Sequence, residues 1–431
     1  MKHPRRLVAA VTTLAIAGAV AVVGVRLQQG AAAPGSSAAA IKATPSSQLT
    51  AEQTAQRKQE INKLLSARAT AVRKGDLKAF LAAVNTKDAK LAARQRTLFA
   101  NLRQFGFTRL EYFLANEHQV PRLTEKYGPT AFSSRVMMRY QLTGLDAKPV
   151  QTDVAYTFVR RGTGWLLVED NAIDEVLSRD GHRQPWDFQP ITVVRRGKVS
   201  VVVAQREAAL GQKIAATAQQ SVSGVRRHWP QPWDGSVMVV AMPEPQVMAI
   251  FWTNGFGRGW TIAAKDVPLF DGDPVGRTPA RAAGSRIVVN PEQRKKLDKD
   301  LLAHEMTHAA SVLLGNEAPM WMVEGYAEYV RCAVIEDDPG WTVDPYRKNV
   351  RKTLASMKAL PGPTEFATNG DRSYGQSWWV IEYLVDRFGV QKVAALYADL
   401  AAHATGADAI VKKHTKMTPA QLLAAVKKFR G

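Results

Sequence analysis

The sequence predicts an α+β protein: an apolar leader, a tether and two folded domains. Three observations predict it. Leu7 to Val25 is a nineteen-residue run without a charge, and a Gly/Ala/Pro/Ser stretch from Gly30 to about Ser47 follows it. Between about 49 and 182, helical periodicity gives way to strand-like segments. From 190 onward, short strands lead into a stretch, Pro291 to the end, that is nearly all helical in pattern. The 431 residues suit two or three units at roughly 100–200 residues each.

Lys2, Arg5 and Arg6 precede the apolar run. Signal-peptide cores usually span about 7–15 residues and membrane-crossing helices about 20, so the length favours an uncleaved anchor over a signal peptide. Ala31-Ala32-Ala33 offers a small-residue site for cutting. The expected boundaries are 1–28 for the anchor or signal peptide and 29–48 for a disordered tether. Basic residues stay on the cytoplasmic side, so the rest of the chain is expected outside, membrane-anchored by the N-terminal segment or secreted if that segment is cut. The single cysteine, Cys332, allows no intramolecular disulfide and reads as a small buried hydrophobe. The net charge of +20, from 58 Lys+Arg against 38 Asp+Glu, suits an anionic envelope. No zinc-finger spacing, aromatic RNA-binding signature or dense basic run accompanies it, so nucleic acid is not an expected partner.

The first folded domain is expected at 49–182. Ile61, Leu64, Leu65, Ala69 and Val72 recur at helical steps, and Gly75-Asp76 breaks the helix before a second short one. Phe107–Leu114, Val136–Leu142, Val150–Val159 and Trp165–Glu169 read as strands, the last two joined across a glycine-bearing loop. Pro185 and Pro190 mark the boundary of a second domain at 190–431. There Val193–Val203, Val237–Ala241, Trp260–Ala264 and Ser285–Asn290 read as strands, with a helix at about Gln205–Gln220.

The chemistry concentrates at His304-Glu305-Met306-Thr307-His308. A helix is expected to start at Asn290, with Pro291 at its first position and Gln293 completing a capping box. Residues four apart on a helix share a face, so the imidazoles of His304 and His308 can reach one zinc ion. Glu305 lies about 100° round the helix, placed to face a water without binding the metal.

The chain here resembles the gluzincin metallopeptidases, the thermolysin-like and M1-aminopeptidase-like branch of the peptidase MA type. The carriers are that motif and Trp321-Met322-Val323-Glu324-Gly325-Tyr326-Ala327, in which fifteen residues separate Glu324 from His308. The resemblance implies a zincin-type domain with a small sheet and a helical lower half. It also implies Zn2+ as cofactor, Glu324 as third ligand and Glu328 as the hydrogen-bond partner of a ligating histidine. The metzincin pattern does not fit, because Ser311 and Leu314 stand where glycine and histidine are required. Tyr374, opening Tyr374-Gly375-Gln376-Ser377-Trp378-Trp379, matches the tyrosine that stabilises the oxyanion in aminopeptidase-like relatives. Gln376-Ser377 departs from the Lys-Gly found in many of them, which leaves a packing role for Tyr374 open. Trp378-Trp379 reads as core. The resemblance further implies that the strand Arg286-Ile287-Val288-Val289 pairs with an extended peptide as an edge strand.

The earlier segment resembles the NTF2-like, cystatin-like cone domains. Ala69-Thr70-Ala71-Val72-Arg73-Lys74-Gly75-Asp76 and Gly164-Trp165-Leu166-Leu167 carry that likeness. Such a domain implies a small ligand or a protein partner rather than catalysis. The expected function is therefore zinc-dependent hydrolysis of a peptide or protein substrate outside the cytoplasmic membrane, with Glu305 as general base. No G-x-M-E-N stretch precedes His304, which favours an endopeptidase. The rival reading is a non-catalytic envelope binding or scaffold protein acting through the cone domain.

Overall fold

A computed structural model describes residues 49–118, 120–162, 164–172, 176, 184–247, 264–270 and 282–431. The apolar leader, most of the tether, the Trp260–Ala264 strand except its last residue, and His182 lie outside the described residues. Among the described residues no helix is long and apolar enough to cross a membrane. Two compact units divide the chain, with the break between Ile191 and Thr192.

The first unit opens with α1 (Ala51–Lys74), capped by a reciprocal Thr50/Gln53 box. Ile61, Leu65, Ala69 and Val72 are buried on it, as their spacing requires, while Leu64 is only half-buried. Gly75, at φ 75°, ends the helix in the left-handed conformation that glycine takes without steric cost. Then come α2 (Leu77–Leu81), α3 (Ala89–Leu102), β1 (Phe107–His118), α4 (Pro121–Tyr127), β2 (Phe132–Leu142), β3 (Val150–Arg161) and β4 (Gly164–Glu169). The strands form one antiparallel sheet in the order β1-β2-β3-β4.

The second unit holds a five-stranded sheet. Its strands are β5 (Ile191–Arg196), β6 (Val199–Ala204), β7 (Val237–Val240), β8 (Ala264–Phe270) and β9 (Ala282–Val289), with α5 (Ala208–His228) between β6 and β7. β6–β7 and β7–β9 are parallel pairs. Val199, Val201, Val202 and Val203 are wholly buried. That is the continuous apolar run expected of a strand covered on both faces.

The sheet order, β5-β6-β7-β9-β8, corrects the expectation that Arg286–Val289 is an edge. β9 has β7 on one side and β8 on the other, so its backbone is paired along both flanks. Arg286, Ile287, Val288 and Val289 are themselves buried. The edge beside β9 is β8, and Pro268 within it fits that place, because a proline cannot donate to a second ladder.

The rest is helical: α6 (Lys299–Ser311), α7 (Met320–Glu336), α8 (Asp344–Thr353), α9 (Pro363–Thr368), α10 (Gly370–Phe388), α11 (Val390–Ala402), α12 (Ala407–Thr415) and α13 (Pro419–Lys428). The expected helix start at Asn290 is also corrected. Asn290 Oδ1 does accept a hydrogen bond from the Glu292 N–H, at 3.0 Å, but this serves only a turn and a short 3-10 segment, Arg294–Lys296. Leu297 then becomes extended, with ψ 127°. Asp298 caps α6 by accepting from the Leu301 N–H at 3.0 Å. Trp378, Trp379 and Tyr326 fill the core, and Cys332 is buried beside them.

Candidate metal centre

Helices α6 and α7 build the site. On α6, one turn separates His304 from His308, and their Nε2 atoms face each other 3.2 Å apart. Glu324, one turn into α7, brings Oε2 to 3.4 Å from each of those nitrogens. Three donor atoms from three side chains thus converge on one point, the arrangement that could hold a metal ion. All three side chains are largely shielded, with exposures of 6% for His304, 13% for Glu324 and 18% for His308.

The residues fit a metal on two counts. Ligands at about 2.0–2.1 Å from a tetrahedral zinc lie about 3.3–3.4 Å from one another, which matches the three separations. The donor roles agree as well. Nδ1 of His304 faces Glu328 Oε2 at 3.2 Å, so the Nδ1–H donates there and the Nε2 lone pair points at the other two donors. Three lone pairs turned toward each other repel unless a cation sits among them.

The electrostatics describe the same need for positive charge. Burial disfavours a charged His304, but the hydrogen bonds it donates to Glu324 and Glu328 and the charge of Glu305 override it, lifting the imidazole from 6.5 to about 10 in the metal-free protein. Burial works against ionising Glu324 too, yet the two histidines hold its carboxyl far below the usual range. Glu328, also buried, is brought down to about 2, chiefly by the Arg331 charge and then by His304.

Glu305 is 6% exposed and lies on α6 beside His304. With His304 and Tyr374 it lines a cavity of about 380 Å3 whose other walls include Leu301, Val343 and Tyr346. Tyr374, in the first turns of α10, is brought to His304 with ring centroids 5.9 Å apart. Phe366 meets its ring edge-on at 5.2 Å, and Met320 packs against the pair. Burial, and then the charges of Glu324, Glu305 and Glu328, raise the Tyr374 phenol well above 10, so it keeps its proton.

One close approach sets this geometry. A Cβ on Gly325 would lie 2.6 Å from the Ser377 carbonyl oxygen, so the glycine lets α7 and α10 touch and carries Tyr374 up to Glu324. The structure thus brings His304, Glu305, His308, Glu324, Glu328 and Tyr374 together. Arg286–Val289 form the interior strand described above. Sequence reasoning missed Arg331 and Asp300, which hold Glu328 from behind. The i,i+3 spacing of Glu328 and Arg331 was the available signal. The remaining described histidines of this unit have other carboxylates: His228 faces Asp337 at 3.1 Å, and both His403 and His414 meet Asp399.

This geometry is the setting for the comparisons with known proteins. The family model of the Peptidase MA superfamily matches residues 288–415, a span that contains the whole cluster. The match supports a gluzincin-type peptidase domain there and points to metallopeptidase-type hydrolysis of a peptide or protein. No curated protein matches the chain.

Proposed function

We propose that the second unit is a zinc-dependent endopeptidase acting outside the cytoplasmic membrane. In this reading His304, His308 and Glu324 are the zinc ligands and Glu305 is the general base. The observation that carries it is the convergence of the three donor atoms at 3.2–3.4 Å, with Glu305 one residue along the helix. Two imidazoles and one carboxylate form the donor set of a catalytic zinc site, which keeps a fourth position for substrate or water.

Bound there, zinc supplies Lewis acidity toward a carbonyl and toward water at neutral pH. Glu305 accepts the proton of the attacking water and passes it to the departing amine. Tyr374, held neutral, donates its O–H to the oxygen on which negative charge develops. The cavity beside Glu305 is the place for part of the substrate. With β9 paired on both sides, an extended substrate would pair with β8 instead.

The first unit, with its helices and antiparallel sheet, supports the NTF2-like reading and a role in binding a small ligand or partner. The absence of an N-terminal amine-binding stretch supports endopeptidase over aminopeptidase cleavage. The test is metal analysis of the chain from about residue 49, followed by digestion of an unfolded protein with wild type and Glu305→Gln. One zinc per chain and loss of cleavage only in the variant support the proposal. Zinc-free protein, or a Glu305→Gln variant that cleaves normally, sinks it and leaves the scaffold reading.

A further inference from the structure

Behind His304 the hydrogen bonds continue through two more residues. Glu328 is buried, its side chain 5% exposed, and each of its oxygens has a different nearest partner among His304 and Arg331, with the Tyr346 hydroxyl also bonded to the carboxylate. Oε2 accepts from His304 Nδ1 at 3.2 Å, while Oε1 accepts from Arg331 Nη1 at 3.1 Å, the same nitrogen lying a longer 3.5 Å from Oε2. Arg331 in turn donates through Nε to Asp300 Oδ2, at 3.0 Å. Asp300 lies in the first turn of α6, one turn before His304. Four side chains, Asp300, Arg331, Glu328 and His304, thus leave α6, cross to α7 and return.

We propose that Arg331, anchored by Asp300, is a positioning residue for the metal centre, acting through Glu328 on the ring of His304. The inference rests on the metal-site reading above. A carboxylate turns easily about its last torsion, since such sp3–sp2 torsions are broad. With one oxygen held by Arg331, Glu328 keeps the other on Nδ1. That fixes the Nδ1–H tautomer and aims the Nε2 lone pair at His308 and Glu324. The planar guanidinium does this by reaching two carboxylates with separate N–H groups, which a lysine ammonium cannot do in the same geometry.

The charge of Arg331 makes the idea testable, because it works in the opposite direction. A cation near a metal site repels the metal. If Arg331 mattered only as a charge, its removal would tighten zinc binding. If it matters by holding Glu328, its removal loosens zinc binding. Partners of this kind are typically worth ~10–100-fold in metal affinity.

The experiment measures zinc affinity by competition with a chromophoric chelator for wild type, Arg331→Met and Arg331→Lys. It also records the 15N shifts of the His304 ring. Positioning predicts zinc weakened ~10-fold or more in both variants, with the Nδ1–H resonance of His304 shifted in the zinc-loaded variants relative to zinc-loaded wild type. Affinity equal to or tighter than wild type in Arg331→Met overturns the inference, as does full restoration by Arg331→Lys. Melting of the metal-free proteins tests folding. If Arg331→Met does not fold, Asp300→Asn removes the anchor while keeping its shape, and unchanged zinc affinity in that variant overturns the inference equally. A wild type that binds no zinc overturns the metal reading itself. A wild type that binds zinc beside unaffected variants overturns only the role of Arg331.

Discussion

Nε2 of His304 and Nε2 of His308 face each other across 3.2 Å, and Nδ1 of His304 is committed to Glu328. This pair has a proton-linkage consequence. His304 is raised from 6.5 to about 10 without metal, so at pH 7 it carries a proton, and its contribution to stability is full below 6.5 and lost as pH rises through 10. A metal needs the lone pair that this proton occupies. Zinc uptake at pH 7 is therefore expected to release about one proton per site from His304, and affinity to rise roughly tenfold per pH unit from 7 to 9. Calorimetry in two buffers of different ionisation enthalpy reads the proton directly. No dependence on buffer would contradict the assignment.

Glu305→Gln keeps the size and shape of the side chain but removes the base. The turnover number is expected to fall by ~10^2–10^4, the usual worth of a positioned acid–base group, while zinc content stays at wild-type level. Paired kinetic and metal measurements separate this from damage to the site.

Tyr374→Phe deletes one hydroxyl and keeps the ring against Phe366 and Met320. Loss of an oxyanion donor is worth ~10^2–10^3 in kcat, with KM little changed. A tyrosine used only for packing would leave kcat near wild type, so the ratio of the two constants decides between the roles.

Gly325→Ala adds a methyl group 2.6 Å from the Ser377 carbonyl oxygen. Alanine favours a helix more than glycine by about 1 kcal/mol, but overpacking at a fixed backbone contact costs about 1–3 kcal/mol. The expected result is a lower melting temperature and reduced activity, because separating α7 from α10 withdraws Tyr374 from Glu324. A variant that melts higher than wild type would show that the contact relaxes freely.

The shared face of His304 and His308 was legible because i,i+4 spacing is a local property: two histidines four apart share a face whatever the rest of the chain does. Glu324 was legible through the stretch around it, and Gly325 within that stretch proves to be a packing requirement. The helix start was misplaced for a local reason too. Asn290 and Pro291 are genuine capping residues, but the extended backbone at Leu297 and the cap at Asp298 decide where α6 begins. The strand order was not legible, because which strands flank β9 depends on pairing between residues far apart in sequence. Arg331 stayed hidden for a related reason. An arginine on a helix is ordinarily a solvated surface residue, and only the fold shows it turned inward between two carboxylates.

The three donors come from only twenty-one consecutive residues, His304 to Glu324. Bringing chain ends together costs entropy that grows with the logarithm of their separation, about 0.6 kcal/mol per doubling. Closing the loop that joins α6 to α7 therefore costs less entropy than closing a longer one. Tyr374, fifty residues past Glu324, joins only when α10 docks across Gly325.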